Sequence, residues 1–159
     1  MKRRYLFLIA ILILSGAVFV VAQENKAAVG LGLEWNMNSR EDFGGGAVIG
    51  FDYNLPVSVA PLALGLIVTT SYNFNDIVIV EPAALFRWYF LNRGHRGFFA
   101  QADLGAHILM QDGDTELRFL GGVRGGYRFP VGKTLYIEPY GRLGYPFAFS
   151  IGAMAGLRF

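Results

Sequence analysis

Two residues in this sequence, Glu81 and His107, have the types needed for acid–base chemistry. A carboxylate that orients a histidine supplies two members of a hydrolytic triad, and the third would be a nucleophilic serine. None of Ser39, Ser58, Ser71 and Ser150 has an evident place beside this pair. Structural ion pairing is therefore the favoured interpretation of Glu81 and His107, and no catalytic residue is predicted.

A second group, Asp112, Asp114 and Glu116, clusters carboxylates that suit a hard divalent cation. The alternating acidic positions resemble part of a calcium-binding loop, but the remaining ligand positions of such a loop are missing. A solvated acidic loop tip is therefore favoured, and neither a metal nor another cofactor is expected.

A third group, Arg118, Arg124 and Arg128, could line an anion-selective channel. Acidic residues on the same face of the other predicted strands nearly balance this positive charge. Charges enclosed in a narrow space must pair, because an unpaired buried charge is costly. A closed, salt-bridged interior is therefore favoured over an open channel.

The first 22 residues are predicted to be a signal peptide, with an uncleaved signal anchor as the alternative. Residues 2–4 are basic, residues 6–21 are almost wholly apolar, and Ala22 ends a small-residue cleavage site. Three of the 14 basic residues and none of the 12 acidic ones lie in this segment. The remaining chain, 23–159, is predicted to be one domain. It is close to neutral, so nucleic acid is not an expected partner.

The composition favours a β-sheet protein without covalent cross-links. The chain is 53% hydrophobic and contains 21 glycines, a content that disfavours a helical core. It has no cysteine, which excludes disulfides, cysteine metal sites and the lipid anchor of a lipoprotein. No segment after the signal peptide reaches the ~18–20 apolar residues that a transmembrane helix needs.

Eight segments after the signal peptide alternate between apolar and polar or small residues, which predicts β-strands with two different faces. The predicted strands cover residues 27–37, 45–55, 62–74, 77–91, 97–111, 117–129, 134–144 and 147–159. Pro82 and Pro139 fall within the fourth and seventh strands. Each is expected to form a bulge or a local break, because proline has no amide hydrogen to donate.

Aromatic residues on the apolar faces sort into two levels when the strands run up and down. One level contains Phe51, Tyr53, Trp88, Phe90, Phe98, Tyr127, Phe129 and Phe159. The other contains Trp35, Tyr72, Phe74, Phe119, Tyr145, Phe147 and Phe149. Two aromatic girdles around an aliphatic band are typical of a membrane-spanning β-barrel.

The opposite faces of the strands carry charges of both signs. These are Glu34, Asp52, Glu81, Asp103, Glu138, Arg87, Arg118, Arg124, Arg128, Arg142 and Arg158. An eight-stranded barrel is only wide enough for side chains to fill it, so these charges are expected to pair inside. Counting from the turn centres predicts four neighbouring pairs, to within two residues: Asp103 near Arg124, Glu138 near Arg124, Glu81 near His107, and Arg87 near Asp103.

The predicted fold is therefore an all-β, eight-stranded antiparallel up-and-down transmembrane β-barrel. With its export signal, eight alternating strands and final phenylalanine, the sequence resembles the small outer-membrane β-barrel proteins of the OmpA/OmpX type. The resemblance covers the whole of 23–159 and depends on pattern. It implies that the barrel-assembly machinery reads the last strand at Leu157 and Phe159.

The predicted signal peptide implies export through the general secretory pathway. The resemblance implies help from periplasmic chaperones and residence as a monomer among the lipids of a diderm outer membrane. A non-catalytic protein with a structural or surface-interaction role is expected. The alternatives are a narrow pore or conduit for small molecules, a barrel enzyme acting on lipid, and a soluble lipocalin-like binder. The last would need its apolar faces inward.

Overall fold

A computed structural model describes residues 26–38, 43–56, 61–73, 77–90, 96–111 and 114–159. The predicted signal peptide lies outside these residues. The eight strands are β1 Ala27–Asn38, β2 Phe43–Asn54, β3 Leu62–Asn73, β4 Val78–Tyr89, β5 Gly97–Gln111, β6 Asp114–Val131, β7 Leu135–Tyr145 and β8 Phe147–Arg158. Within the described ranges, no helix has the length and apolar character needed to cross a membrane.

The strands form one closed barrel in chain order, and each pairs antiparallel with its neighbours. The barrel closes between β1 and β8, where Ala28 pairs with Arg158. Beyond that pair, the backbones of Ala27 and Phe159 exchange two hydrogen bonds of 2.8 and 2.9 Å. The predicted fold class is confirmed. β6 begins three residues before the predicted start, since its ladder with β5 continues to the pair Gln111 and Asp114.

The outer face of the barrel wall is apolar and the inner face is charged, which is the reverse of a soluble protein. Large apolar side chains cover the outside, as shown by Leu33, which is 74% exposed. Charged side chains are enclosed, and those of Asp103 and Glu138 are 0% exposed. An apolar cluster that includes Leu85 and Leu120 shares the interior with them. This arrangement contradicts the lipocalin-like alternative, which requires the apolar faces of the strands to point inward.

Pro82 and Pro139 produce local breaks rather than bulges. The β4–β5 register passes from Val80↔Ile108 to Ala83↔Gly105 without a shift, and the two pairs between them drop out of the ladder. The β6–β7 ladder is interrupted beside Pro139 in the same way. Each proline keeps its place in the ladder on its other side. Both strands therefore remain continuous.

A β-bulge at the start of β8 makes the prediction for Phe147 wrong. The β1–β8 register shifts so that Met37 pairs with Phe149 and Asn38 with Phe147, which leaves Ala148 without a partner on β1. An extra residue reverses the side to which the following positions point. Phe147 therefore lies inside the barrel, 4% exposed, and not on the outer face with Phe149.

Candidate functional site

The charged residues predicted for the interior are the candidate functional site, and the structure encloses nearly all of them. The buried ones are Glu34, Asp52, Glu81, Asp103, Glu138, Arg87, Arg124, Arg128, Arg142 and Arg158, together with His107. Arg118 is the exception. The β6–β7 ladder ends at Gly121↔Tyr145, so Arg118 lies beyond β7 at the rim. Its guanidinium donates to both carboxylate oxygens of Glu116, at 2.7 and 2.8 Å.

Four of these residues, Asp52, Arg87, Arg128 and Glu138, form what we call the Glu138 cluster. Both Nη atoms of Arg87 donate to the Glu138 carboxylate, at 3.0 and 2.9 Å. Arg128 Nε donates to the same carboxylate, and its Nη2 donates to Asp52 at 2.8 Å. Two arginines are thus matched by two acids from four different strands.

Five further residues, Glu34, Glu81, Asp103, Arg124 and Arg142, form the Glu34 cluster. Arg142 Nη1 donates to Glu34 at 3.1 Å and to Glu81 at 2.7 Å. Arg124 Nε lies 3.4 Å from Asp103, and its Nη2 lies 3.7 Å from Glu34. Three carboxylates therefore face two guanidinium groups in this part of the interior.

Gln101 connects the two clusters. It accepts a hydrogen bond of 2.7 Å from Arg87 Nε and donates one of 2.5 Å to Asp103. Arg87 and Asp103, which were predicted to lie near each other, are therefore connected through Gln101. The ring of His107 completes the network, with Nδ1 2.7 Å from a Glu81 oxygen.

Each of the four arginines in the clusters also lies over an aromatic ring. The guanidinium carbons are 3.7–4.1 Å from the ring centroids in the pairs Arg87–Phe99, Arg124–Tyr140, Arg128–Tyr136 and Arg142–Phe147. Cations over aromatic faces are attracted by the ring quadrupole, most strongly when both are removed from water. The inward turn of Phe147 thus gives Arg142 its ring.

Small residues make room for the rings of this site. A methyl group added at Gly152 would meet the Tyr140 ring 2.6 Å away, and one added at Gly156 would meet the Tyr136 ring at the same distance. These two glycines lie on the inward positions of β8. The alternation of the sequence predicts the interior charges but neither their aromatic partners nor Gln101. The aromatic partners could have been predicted from the tyrosines at inward positions of β7, which pair with glycines of β8.

We expect Tyr140→Phe to lower the free energy of unfolding by about 1.5–2 kcal/mol, because a hydrogen bond to a charged group is lost. The Tyr140 hydroxyl donates to Glu34 at 2.8 Å inside the barrel. Tyr53→Phe is the matched control, since Tyr53 is exposed on the outer face. Urea unfolding of the two variants in lipid vesicles measures the difference. Equal stabilities would contradict a contribution from this bond.

Glu81 and His107 form a structural hydrogen-bonded pair. Glu81 also accepts a hydrogen bond from Arg142, and the side chains of Glu81 and His107 are both buried. Ser71 and Ser150 are buried too, while Ser39 and Ser58 lie outside the described residues. In the part of the chain that is described, no group of three or more histidine, aspartate and glutamate residues could hold a metal ion. Asp112 and Phe74 also fall outside that part.

The outer wall carries the aromatic residues predicted for the two girdles. Those exposed on this face are Trp35, Tyr53, Tyr72, Trp88, Phe90, Phe98, Phe119, Phe129, Tyr145 and Phe149. Tyr127 is partly covered by Phe98 and Phe129, with ring centroids 4.6 and 4.3 Å away. Leu157 is exposed on the same face.

Solved structures identify this fold. Neisserial surface protein A aligns over 83% of this chain and 94% of its own, with 15% identity and a TM-score of 0.59. The N-terminal β-barrel domain of Pseudomonas aeruginosa OprF aligns over 83% and 97%, with 11% identity and a TM-score of 0.54. The chain has the fold of the small outer-membrane β-barrels.

This outer-membrane-type barrel also resembles a de novo designed transmembrane β-barrel, with 14% identity and a TM-score of 0.52 over 86% of this chain and 99% of the design. Neither a family profile nor a curated protein sequence matches the chain. The expected resemblance to the OmpA/OmpX type is thus confirmed as a likeness of fold. A fold that a designed protein shares does not by itself specify a function.

Proposed function

We propose that this protein is a small integral outer-membrane β-barrel without catalytic activity, whose role is structural or lies in surface interaction. The observation that carries the proposal is the polarity of the wall: apolar side chains point outward on all eight strands and charged side chains are enclosed. An apolar surface of this extent is unfavourable in water and favourable in lipid. The closed ring of strands also satisfies the backbone, which lipid cannot hydrogen-bond.

Heat-modifiable migration tests this proposal. Folded membrane barrels resist detergent until they are heated, so unheated and boiled samples of the full chain should run at different positions on a denaturing gel. The folded protein should also float with phospholipid vesicles in a density gradient. A protein that stays soluble and monomeric without detergent would contradict the proposal.

The outer membrane of a diderm bacterium is the proposed location. The structural likeness to outer-membrane barrels supports it, and the predicted signal peptide supports export through the general secretory pathway. Insertion by the barrel-assembly machinery, with Leu157 and Phe159 as part of the signal, and delivery by periplasmic chaperones are proposed on the same basis. The protein is proposed to be a monomer surrounded by outer-membrane lipid.

We expect planar-bilayer recordings of the inserted protein to show no steady conductance. The Glu138 and Glu34 clusters cross the interior, since Arg87 and Glu81 of β4 bind Glu138 and Arg142 of β7. The four arginines are also packed on aromatic rings. An ion passing through the barrel would have to separate these buried pairs. That separation is strongly unfavourable because it leaves buried charges without partners. Steady channels in repeated recordings would favour the alternative function, a narrow pore for small molecules.

A further inference from the structure

An apolar groove of about 830 Å³ runs across the outer wall over β4, β5, β6 and β7. Outward-facing rings form its sides, and they belong to Phe90, Phe98, Tyr127 and Phe129. Gly125 forms the floor. Because glycine has no side chain, the interior ring of Phe99 also lines the groove. The groove lies at the interruption of the β6–β7 ladder beside Pro139. It is therefore a depression in the outer wall at a break in the strand pairing.

The rim next to this groove is basic. Arg96 precedes β5 by one residue and lies two residues from Phe98, about 7 Å along an extended chain. Lys133 lies in the turn between β6 and β7, the strands that form the floor. Both side chains are exposed. Among the described residues, the exposed acidic side chains are Asp114 and Glu116, which lie at the opposite rim.

A third basic residue adds positive charge at this rim. Arg158 donates through Nη2 to the carbonyl oxygens of Gly132 and Lys133, at 3.4 and 3.2 Å, and so fixes the turn. Its Nε is buried without a hydrogen-bond partner. Like charges gathered at one place favour an anion there.

We propose that this groove binds one anionic phospholipid, with an acyl chain between the aromatic rings and the phosphate against Arg96 and Lys133. Such a lipid matches both observations at once, since its chain is apolar and its headgroup is negative. Basic residues at a membrane surface attract anionic lipid headgroups. The inference depends on the proposed membrane location, because the occupant comes from the bilayer around the barrel.

Gly125 provides the decisive variant. A methyl group added there would have its nearest neighbour, the carbonyl oxygen of Phe99, at 3.9 Å, so a larger side chain fits without displacing backbone. Gly125→Leu should therefore fill the groove and leave the barrel folded. Ala155→Leu is the control, since Ala155 is exposed on the outer face of β8 and lies outside the groove lining.

Photolabelling tests the proposal. The full protein is folded into phosphatidylcholine vesicles with a minor fraction of phosphatidylglycerol that carries a diazirine on its acyl chain, and the labelled peptides are mapped. Labelling should concentrate on the groove residues of β5 and β6, be lost in Gly125→Leu, and persist in Ala155→Leu. The double variant Arg96→Gln, Lys133→Gln, which changes exposed side chains alone, should reduce labelling about tenfold.

Unchanged labelling in Gly125→Leu, or equal labelling by a diazirine-bearing phosphatidylcholine, would overturn the proposal. Heat-modifiable migration and vesicle flotation of every variant are measured in parallel. A barrel that floats and shifts on heating but is not labelled in the groove refutes the lipid site alone. A protein that fails to float refutes the membrane location instead.

Discussion

Replacement of Glu138 by glutamine is expected to lower the free energy of unfolding by about 3–5 kcal/mol. Glu138 is fully buried and accepts hydrogen bonds from both Arg87 and Arg128. Glutamine has a similar volume but no charge, so the variant would keep two buried guanidinium groups and a single remaining acid, Asp52, in the cluster. Reversible urea unfolding in phospholipid vesicles measures the loss.

Glu116→Gln provides the control for this effect. Glu116 also binds an arginine with two short hydrogen bonds, but that pair lies at the exposed rim. Because water screens exposed charges, this substitution should leave the free energy of unfolding nearly unchanged. If Glu138→Gln were as mild as Glu116→Gln, the Glu138 cluster would contribute little to the stability of the barrel.

Leu104→Arg is expected to lower the free energy of unfolding by about 2–4 kcal/mol, because a charge at the middle of a bilayer is poorly solvated. Leu104 is central in β5, points outward and is 59% exposed. In a water-soluble protein, an exposed leucine at such a position could become arginine with little effect on stability. The substitution therefore reports directly on the solvent around the barrel.

Leu135→Arg is the matched control for Leu104→Arg. Leu135 is also outward-facing, at 50% exposure, but it lies at the first position of β7, next to the 132–134 turn. An arginine near the interface can reach the headgroups, so its cost should be about 0–1 kcal/mol. Equal costs at the two positions, measured by unfolding from vesicles, would contradict a bilayer around this wall.

The sequence was sufficient to predict the eight strands and the faces of most of their residues. Alternation with a period of two is a local property, so it identified β4 around Pro82 and β7 around Pro139 despite the prolines. The side on which Phe147 lies could not be predicted in this way. That side depends on the bulge at Ala148, which appears when β8 is paired with β1, the strand farthest away in sequence.

Ion pairs between adjacent strands could also be predicted. Counting residues from the turns identified Asp103 with Arg124 and Glu81 with His107, which belong to neighbouring strands. The prediction that Glu138 lies near Arg124 was wrong for a physical reason: Glu138 binds Arg87, which reaches it from β4 across the barrel.

Contacts of this kind depend on the stagger of the strands and on the reach of the arginine side chain. Neither property can be read from a hairpin, because a hairpin relates only strands that are adjacent in the chain. Arg142, which reaches Glu81 from β7 to β4, illustrates the same limit.

The partners of Glu34 have a consequence for the order in which the barrel assembles. Glu34 belongs to β1, yet its carboxylate is held by Tyr140 and Arg142 of β7, more than 100 residues later in the chain. A growing sheet that lacks its last strands would bring an unpaired acid into the membrane. Such partly formed sheets are therefore unstable intermediates. We expect insertion to be a single cooperative step in which the barrel closes and its interior is dehydrated at the same time.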